Sequence, residues 1–304
     1  MLPDDIQVLE RGWLSANTVL LRGDARGPVI VDTGYCSHAS QTLVLIAGAL
    51  GEELPREILN THLHSDHCGG NAALQQRYSS PIRIPPGQFW AAKDWDESAL
   101  SYRATGQECP RFIPTAALTP GEVYQQSGRE WQIHAAPGHD PDAVLMFDPK
   151  SGVLIAGDAL WEHGFGIVFP ELDGEHAFEA VAASLDLIEA LQPAVVIPGH
   201  GAPFSGLALA LAEARSRLSF FKQQPERHAQ HAAKALVMFH MLEHRRQPRD
   251  TLQHWQMSTP VHQAMWKRFF APAQSLASWS EQVVEQLLAG GQLKAEGEVI
   301  RIAA

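Results

Sequence analysis

Three histidines and one aspartate fall within residues 62–67, and this cluster restricts the folds that the chain can adopt. They are His62, His64, Asp66 and His67. Imidazole and carboxylate groups are the ligands that zinc and similar first-row cations take from proteins. A catalytic metal needs about three protein ligands and a position left for water. This one segment could therefore contribute ligands to two metals.

The residues on either side of the cluster predict how its side chains converge. The stretch "REILNT" (56–61) before it is typical of a buried strand. Because side chains of an extended segment alternate in direction, the first two histidines leave the strand on the same side. The aspartate and the third histidine can turn back from the following loop. Gly69 and Gly70 then let the backbone pass close by before a helix begins at residue 71.

The first two thirds of the chain alternate between strand and helix patterns. Strand-like apolar runs end in turns at 28–34, 56–62, 131–139 and 194–200, and residues 143–158 predict a hairpin. Helical patterns lie between them at 38–50, 71–78 and 177–191. This alternation is typical of a layered α/β protein.

Three further candidate ligands each follow a predicted strand. They are His139 in "APGHDPD", Asp158 in "IAGDAL" and His200 in "IPGHGAP". A single histidine is more often a surface or core residue than a ligand, but loops at strand ends of an α/β scaffold often carry function. Seven candidate ligands are thus available for two metals.

These motifs together resemble the metallo-β-lactamase superfamily of hydrolases. The matching pattern is His-x-His-x-Asp-His, then Gly-His, a Gly-Asp after a hairpin, and Pro-Gly-His, over about residues 5–204. The resemblance implies a four-layer αββα sandwich. It also implies that one metal is held by His62, His64 and His139, the other by Asp66, His67 and His200, with Asp158 bridging them.

Three features near the motifs lie outside the candidate ligand set. Residue 140 is aspartate where relatives commonly have threonine or serine, which puts contacts around the ligands in question. Cys68 stands where small residues are usual, and we interpret it as a packing residue. Residues 32–34 (Asp-Thr-Gly) predict a buried turn that braces the site without reacting.

The last hundred residues have a different character. Helical patterns predominate from residue 205, a capping box is predicted at Ser278–Glu281, and a hairpin follows Gly290 and Gly291. Residues 1–204 carry a net charge of -15 and residues 205–304 one of +4. We therefore predict a catalytic domain at 1–204 and a small, mainly helical, winged-helix-like domain at 205–304.

Composition limits the cellular setting that we expect. The chain has no apolar run long enough to span a membrane, and its first residues lack the pattern of a signal peptide. Three widely spaced cysteines without a CxxC pair predict free thiols. We expect a cytoplasmic protein with a small-molecule substrate and no membrane partner, while the sequence leaves the oligomeric state open.

The resemblance implies a dinuclear metal-dependent hydrolase in which a metal-bound hydroxide attacks a carbonyl. The metals are predicted to be zinc, with iron or manganese left open. Asp66 would orient the water and pass a proton to the leaving group. Hydroxyacylglutathione thioesterases and lactonases share the dimetal pattern, so we expect a thioester, ester or lactone substrate.

Other functions stay open at this point. Phosphodiesterases and endoribonucleases of the same fold also have small helical C-terminal domains, although the acidic body disfavours a nucleic-acid substrate. A redox function is a further alternative, because persulfide dioxygenases and diiron flavoproteins share this fold. A persulfide dioxygenase would use one iron. The diiron proteins usually have glutamate at the position of His64, so their signature is absent here. A binding module without activity would be expected to lack some of the seven ligands.

Aromatic residues and two further histidines give weaker signals than the seven candidate ligands. Trp161, Phe165 and Phe169, just after Asp158, are predicted to contact the substrate. The aromatic residues of the segment 83–121 could line a cleft, but packing onto the body is the favoured interpretation. His240 and His244 are predicted to lie on a helix surface, because residue 241 is not the glutamate of an H-E-x-x-H zinc helix.

Overall fold

The computed structural model describes residues 2–303, and a six-stranded sheet forms one half of its centre. Its strands are, in spatial order, β1 (Ile6–Leu9), β2 (Thr18–Leu21), β3 (Val29–Val31), β4 (Glu57–Leu59), β5 (Ile82–Ile84) and β6 (Ala116–Ala117). The first three strands pair antiparallel, and β3 to β6 pair parallel. Strand β4 is therefore interior to the sheet, and it leads directly into the histidine cluster.

A five-stranded sheet forms the other half of the centre. Its strands are β7 (Val123–Gln126), β8 (Arg129–Ala135), β9 (Val144–Asp148), β10 (Val153–Gly157) and β11 (Val195–Pro198), in the spatial order β11-β10-β9-β8-β7. Only the β10–β11 pair is parallel. The predicted hairpin at 143–158 is confirmed as β9 and β10.

The two sheets pack face to face through a shared apolar core. Val31 and Leu59 of the first sheet belong to the same buried cluster as Trp131, Met146 and Ile197 of the second. Burying these side chains between the sheets provides the main favourable contribution to folding, because it removes apolar surface from water.

Helices cover the outer face of each sheet, which confirms the αββα sandwich. The first sheet is covered by a 3-10 turn (Cys36–His38) and by α1 (Ala39–Leu50), α2 (Ser65–Cys68), α3 (Asn71–Tyr78), α4 (Phe89–Asp94) and α5 (Tyr102–Thr105). The second is covered by α7 (Phe178–Leu191) and α8 (Leu207–Gln223), and the short helix α6 (Phe169–Asp173) precedes them in the chain. Ile46 of α1 packs with Ile30 and Ile58, while Leu185 of α7 packs with Leu154.

The C-terminal region consists of helices and a small sheet. Its elements are α9 (Pro225–His244), β12 (Arg246–Pro248), α10 (Arg249–Ser258), α11 (Pro260–Met265), a π-helical turn (Trp266–Phe270), α12 (Leu276–Ala289), β13 (Leu293–Glu296) and β14 (Val299–Ile302). The strands pair antiparallel in the order β12-β14-β13, so the predicted terminal hairpin is confirmed. Among the described helices, none combines the length and apolarity that a membrane span requires.

Helices α8 and α9, before and after residue 224, pack in different apolar cores. Leu211 and Leu218 of α8 share a core with Leu185 of α7, whereas Val237 of α9 packs in a separate cluster with Trp279 of α12. The division of the chain into domains at 204 and 205 stays a prediction.

Two details of the C-terminal region were predicted wrongly or missed. Helix α12 begins at Leu276 rather than after Ser278, because the Ser275 side chain accepts a hydrogen bond from the Ser278 backbone N–H at 3.2 Å and caps the helix. Strand β12 was not predicted, since its sequence Arg-Gln-Pro has no apolar alternation.

Candidate metal centre

The seven predicted ligands all lie at or just beyond the C-terminal ends of strands. His62 and His64 follow β4, and Asp66 and His67 lie on the short helix α2, which supplies the return toward the strand end. The remaining three, His139, Asp158 and His200, follow β8, β10 and β11. Every one of them has a relative exposure below a tenth except His64, which is partly buried.

The three histidines His62, His64 and His139 form one group. One ring nitrogen from each lies within 4.8 Å of the others. His64 Nδ1 is 2.7 Å from His139 Nε2, and the His62 and His64 rings meet edge to face with centroids 4.7 Å apart. Three imidazoles in this arrangement match the three protein ligands of a catalytic zinc site.

Asp66, His67, Asp158 and His200 form a second group, whose potential ligand atoms also lie within 4.8 Å of one another. His200 Nε2 is 3.0 Å from Asp66 Oδ2, and His67 Nε2 is 3.4 Å from Asp158 Oδ1. The other oxygen of Asp158, Oδ2, is 3.4 Å from His139 Nε2 in the first group. The Asp158 carboxylate therefore reaches both groups, as a bridging ligand must.

Unpartnered buried nitrogens show that this donor set fits metal ions. His62 Nε2 and His67 Nε2 are buried and have no hydrogen-bond partner among the described residues. A buried polar atom without a partner is costly, and most such atoms in proteins are satisfied. Coordination to a cation would satisfy both nitrogens, and the donors are the nitrogen and oxygen atoms that divalent transition metals prefer.

The Asp32 carboxylate orients His67. His67 Nδ1 donates to Asp32 Oδ2 at 2.8 Å, so the unpartnered Nε2 of the ring points into the second group. The Thr61 hydroxyl donates to the same oxygen at 2.8 Å, and the Thr61 backbone N–H donates to Oδ1 at 2.9 Å. This confirms the prediction that the turn at 32–34 is buried and braces the site.

Hydrogen bonds also hold two other candidate ligands. His139 Nδ1 donates to the backbone oxygen of Ile167 at 2.5 Å, which leaves its Nε2 facing the first group. Trp161 Nε1 donates to Asp158 Oδ1 at 3.0 Å. Such outer contacts fix the orientation of metal ligands and increase metal affinity.

The electrostatics of the site favour neutral imidazoles in one group and positive charge in the other. Burial lowers the pKa of His64 and that of His139 to about 4, so both rings are neutral at pH 7. Burial also opposes the charged form of His67, but the carboxylates of Asp158 and Asp32 outweigh it and raise the pKa of that ring. The concentration of carboxylates around the second group therefore stabilises a cation there.

Asp140 and Cys68 lie beside the ligands rather than among them. Asp140 is buried, its Oδ2 lies 3.8 Å from His64 Nε2, and burial raises the pKa of its carboxyl. Cys68 Sγ lies 3.3 Å from the Tyr102 hydroxyl and 3.7 Å from Cys109 Sγ in an apolar cluster. The interpretation of Cys68 as a packing residue is confirmed.

The two histidines of α9 do not share one environment. His240 is buried and stacks on Trp255 with ring centroids 3.9 Å apart, so the prediction of a surface position is wrong for it. His244 is exposed, as predicted. The signal for His240 was its spacing of three and four residues from Val237 and Leu236, which places it on the buried face of the helix.

A cleft of about 780 Å³ opens onto both ligand groups. Trp161, Phe165 and Phe169 line it, as the sequence predicted. Tyr102 and Phe112 are instead core residues of the first helical layer, which confirms the packing interpretation for those side chains.

Trp13 also lines the cleft and was not predicted from the sequence. Its ring stacks on His200 with centroids 5.3 Å apart and meets the Trp161 ring edge to face at 5.4 Å. Trp13 lies in a loop without a motif, so only the three-dimensional structure identifies this contact.

Comparisons with known proteins agree with this geometry. The model of the metallo-beta-lactamase superfamily matches residues 11–200. A hydroxyacylglutathione hydrolase of Synechococcus sp. (strain JA-3-3Ab) is 33% identical over 145 residues, and the match spans 48% of each chain. This chain thus spans about half the length of that relative. The hydroxyacylglutathione hydrolase GloC of Haemophilus influenzae is 25% identical over 65% of this chain and 91% of that protein.

Solved structures show the same fold. The protein TTHA1623 in a di-iron-bound form is 29% identical and superposes with a TM-score of 0.55 over 68% of this chain and 98% of its own. A beta-lactamase domain protein from Burkholderia ambifaria superposes with a TM-score of 0.61 over 100% of this chain and 94% of its own, at 21% identity. Motifs, geometry and family model together lead to one conclusion: the chain belongs to the metallo-β-lactamase superfamily.

Proposed function

We propose that the protein is a dinuclear metal-dependent hydrolase of a thioester, ester or lactone. The observation that carries the proposal is the position of Asp158, whose two carboxylate oxygens face the two ligand groups. The names of the relatives, hydroxyacylglutathione hydrolases, support cleavage of a carbonyl compound. A small molecule is therefore the proposed substrate, and the three free thiols support the proposed cytoplasmic location.

One cation would be held by His62, His64 and His139. The other would be held by Asp66, His67 and His200, and Asp158 would contact both cations. We propose zinc, because nitrogen and carboxylate ligands suit it, and the di-iron form of TTHA1623 keeps iron as the competing metal. The bound cations would supply Lewis acidity toward the carbonyl and an activated water near neutral pH.

Asp66 is the proposed catalytic residue. It lines the cleft, and its Oδ2 lies 3.0 Å from His200 Nε2. Burial opposes ionisation of Asp66, but His67 and His200 outweigh that effect and lower the pKa of the carboxyl. A carboxylate at this place can accept a hydrogen bond from the attacking water and pass a proton to the leaving group.

Metal analysis of the protein purified without chelators tests the proposal. We expect close to two transition-metal ions per chain and hydrolysis of at least one member of a panel of thioesters, esters and lactones. His62→Ala should lower metal content and reduce turnover at least a hundredfold, because one ligand group loses a donor. His176→Ala, which changes an exposed histidine, is the matched control.

The same panel separates the alternatives. It includes β-lactams, phosphodiesters and persulfides, and oxygen uptake is followed with the persulfides. Full hydrolytic activity after exhaustive metal removal, or oxygen uptake with one bound iron, would contradict the proposal.

A further inference from the structure

Helix α9 carries apolar residues on two faces, one buried in the C-terminal core and one only partly covered, where Met238 packs against the edge of that core. The covered face contributes Ala233, Leu236, Val237 and Met241 to that core. The second face carries the half-buried side chains Ala235, Met238, Phe239 and Leu242. Their spacing of i, i+3, i+4 and i+7 makes one continuous stripe, which we call the α9 stripe.

The α9 stripe lines the same cleft as the candidate ligands. Phe165, Ile167 and Phe169, which follow β10, also line it. The Phe169 ring lies 5.4 Å from the His64 ring, so apolar surface begins directly beside the first ligand group. The stripe also contacts the sandwich, because Phe239 packs on Tyr35 with ring centroids 5.0 Å apart.

The cleft is poor in charge away from the ligands. Two cationic groups line it there, Arg217 and His163, and both face Glu213, at 3.8 Å and 3.0 Å, so their charge is offset by that carboxylate. A mainly apolar cleft gains free energy by burying hydrocarbon, and 780 Å³ is far more than a short acyl group fills.

We propose that the α9 stripe binds an extended hydrocarbon acyl chain, and that the substrate is an ester or thioester of such a chain. The scissile carbonyl would lie between the ligand groups, and its acyl chain would run along the stripe. Water adds to the carbonyl carbon, the carbon–sulfur or carbon–oxygen bond breaks, and a proton passes to the leaving sulfur or oxygen. The identity of the scissile bond rests on the proposed function, whereas binding of the chain does not.

Binding of the acid products tests the inference without any turnover. Butanoate, octanoate and dodecanoate are titrated into the full-length protein by calorimetry. Each added methylene that becomes buried should tighten binding about fourfold. Met238→Gln, which keeps the side-chain length but adds an amide, should weaken dodecanoate binding at least tenfold and leave butanoate binding unchanged. Met257→Gln, which changes a half-buried methionine on α10 outside the cleft, is the matched control.

A second variant covers the case in which Met238→Gln does not fold. Ala235→Phe adds volume on the stripe, so it should shorten the longest acid that binds well. Equal affinities for butanoate and dodecanoate in the wild-type protein, or equal effects of the Met238 and Met257 variants, would overturn the inference.

Hydrolysis of thioesters with acyl chains of the same lengths separates this inference from the proposed function. We expect kcat/KM to rise with chain length in the wild-type protein and to lose this dependence in Met238→Gln. Turnover that does not depend on chain length would overturn the inference and keep the proposed function. If binding depends on chain length but no ester, thioester or lactone is hydrolysed, the proposed function is overturned and the binding of the acyl chain is kept.

Discussion

At the scale of single residues, Asp32 shows how a side chain outside the ligand set controls the site. Its backbone φ of 56° is unusual for a residue other than glycine, and the carboxylate accepts hydrogen bonds from His67 and Thr61. Backbone strain of this kind persists only where the surroundings enforce it, and it often occurs at functional sites. The hydrogen bonds from Thr61 and His67 hold the Asp32 side chain in place and so support this backbone conformation. The same contacts hold the His67 ring with Nε2 toward the second ligand group.

Replacing the carboxylate by an amide tests this role. Asp32→Asn should reduce metal affinity about 10- to 100-fold, because a neutral amide accepts a weaker hydrogen bond from His67 than a carboxylate does and so fixes the ring orientation less firmly. Affinity is measured by competition with a chelator of known strength. Asp4→Asn, at an exposed aspartate, serves as the control. Unchanged affinity in Asp32→Asn would show that His67 is positioned by its packing alone.

The candidate ligands could be found from the sequence, but the contacts that support them could not. His62 to His67 are close in the chain, and His139, Asp158 and His200 each follow a recognisable strand. The stacking of Trp13 on His200 and the hydrogen bond from Trp161 to Asp158 depend on how separate loops meet. Nothing in the local pattern of either loop encodes that approach.

At the scale of elements, periodicity predicted long helices and buried strands well and short or edge elements poorly. Helix α7 has five buried residues at helical spacing, and its bounds differ by one residue from the predicted start. The start of α12 was predicted wrongly at Ser278, because serine is a common capping residue and Ser275, three residues earlier, is the one whose side chain caps the helix. Strand β12 forms only because the terminal hairpin offers it a partner.

The free energy of unfolding should depend on pH through His262, which lies on helix α11. This side chain is fully buried beside Trp255 and Trp279, and its two ring nitrogens have no partner among the described residues. Burial, with a smaller effect of His240, lowers the pKa of His262 to about 3. An unfolded histidine titrates near 6.5, so below that pH the unfolded state binds a proton that the folded state does not.

The free energy of unfolding should therefore fall as the pH falls from about 6.5 toward 3, by up to about 1.4 kcal/mol per pH unit for this residue. His262→Leu should reduce that slope while keeping or raising stability at pH 7, because it removes an unpartnered buried polar group. Urea unfolding at several pH values measures the effect. His254→Leu, at an exposed position on α10, should leave the slope as it is in the wild-type protein. An equal slope in both variants would contradict the prediction.

At the scale of the whole molecule, the cleft depends on contacts between the sandwich and the C-terminal region. The Tyr35 hydroxyl donates to Glu243 on α9 at 3.1 Å, and Leu172 of α6 packs in the core of the C-terminal region. The charge difference and the composition shift predicted a separate region after the sandwich. They did not show that α8 packs on α7, because one apolar helical stripe does not reveal its partner.

Truncation tests how the chain is divided. A fragment of residues 1–224 keeps α8, whose Leu211, Leu218 and Phe221 pack in the core of the sandwich. We expect this fragment to stay soluble and to bind metal, because it retains all seven candidate ligands. A fragment of residues 1–204 would expose the apolar face of α7 and should aggregate. Size-exclusion chromatography with metal analysis measures both outcomes.

The same truncation should also reveal what the C-terminal region contributes to the cleft. Without α9, the 1–224 fragment lacks Met238 and Phe239, so an acyl chain would lose one apolar wall. We therefore expect octanoate and dodecanoate to bind the fragment more weakly than the full chain, while metal content stays the same. Loss of metal from a folded 1–224 fragment would mean that the C-terminal region supports the ligands themselves. If the fragment binds dodecanoate as tightly as the full-length protein does, the acyl chain contacts Phe165 and Phe169 and does not need the α9 stripe.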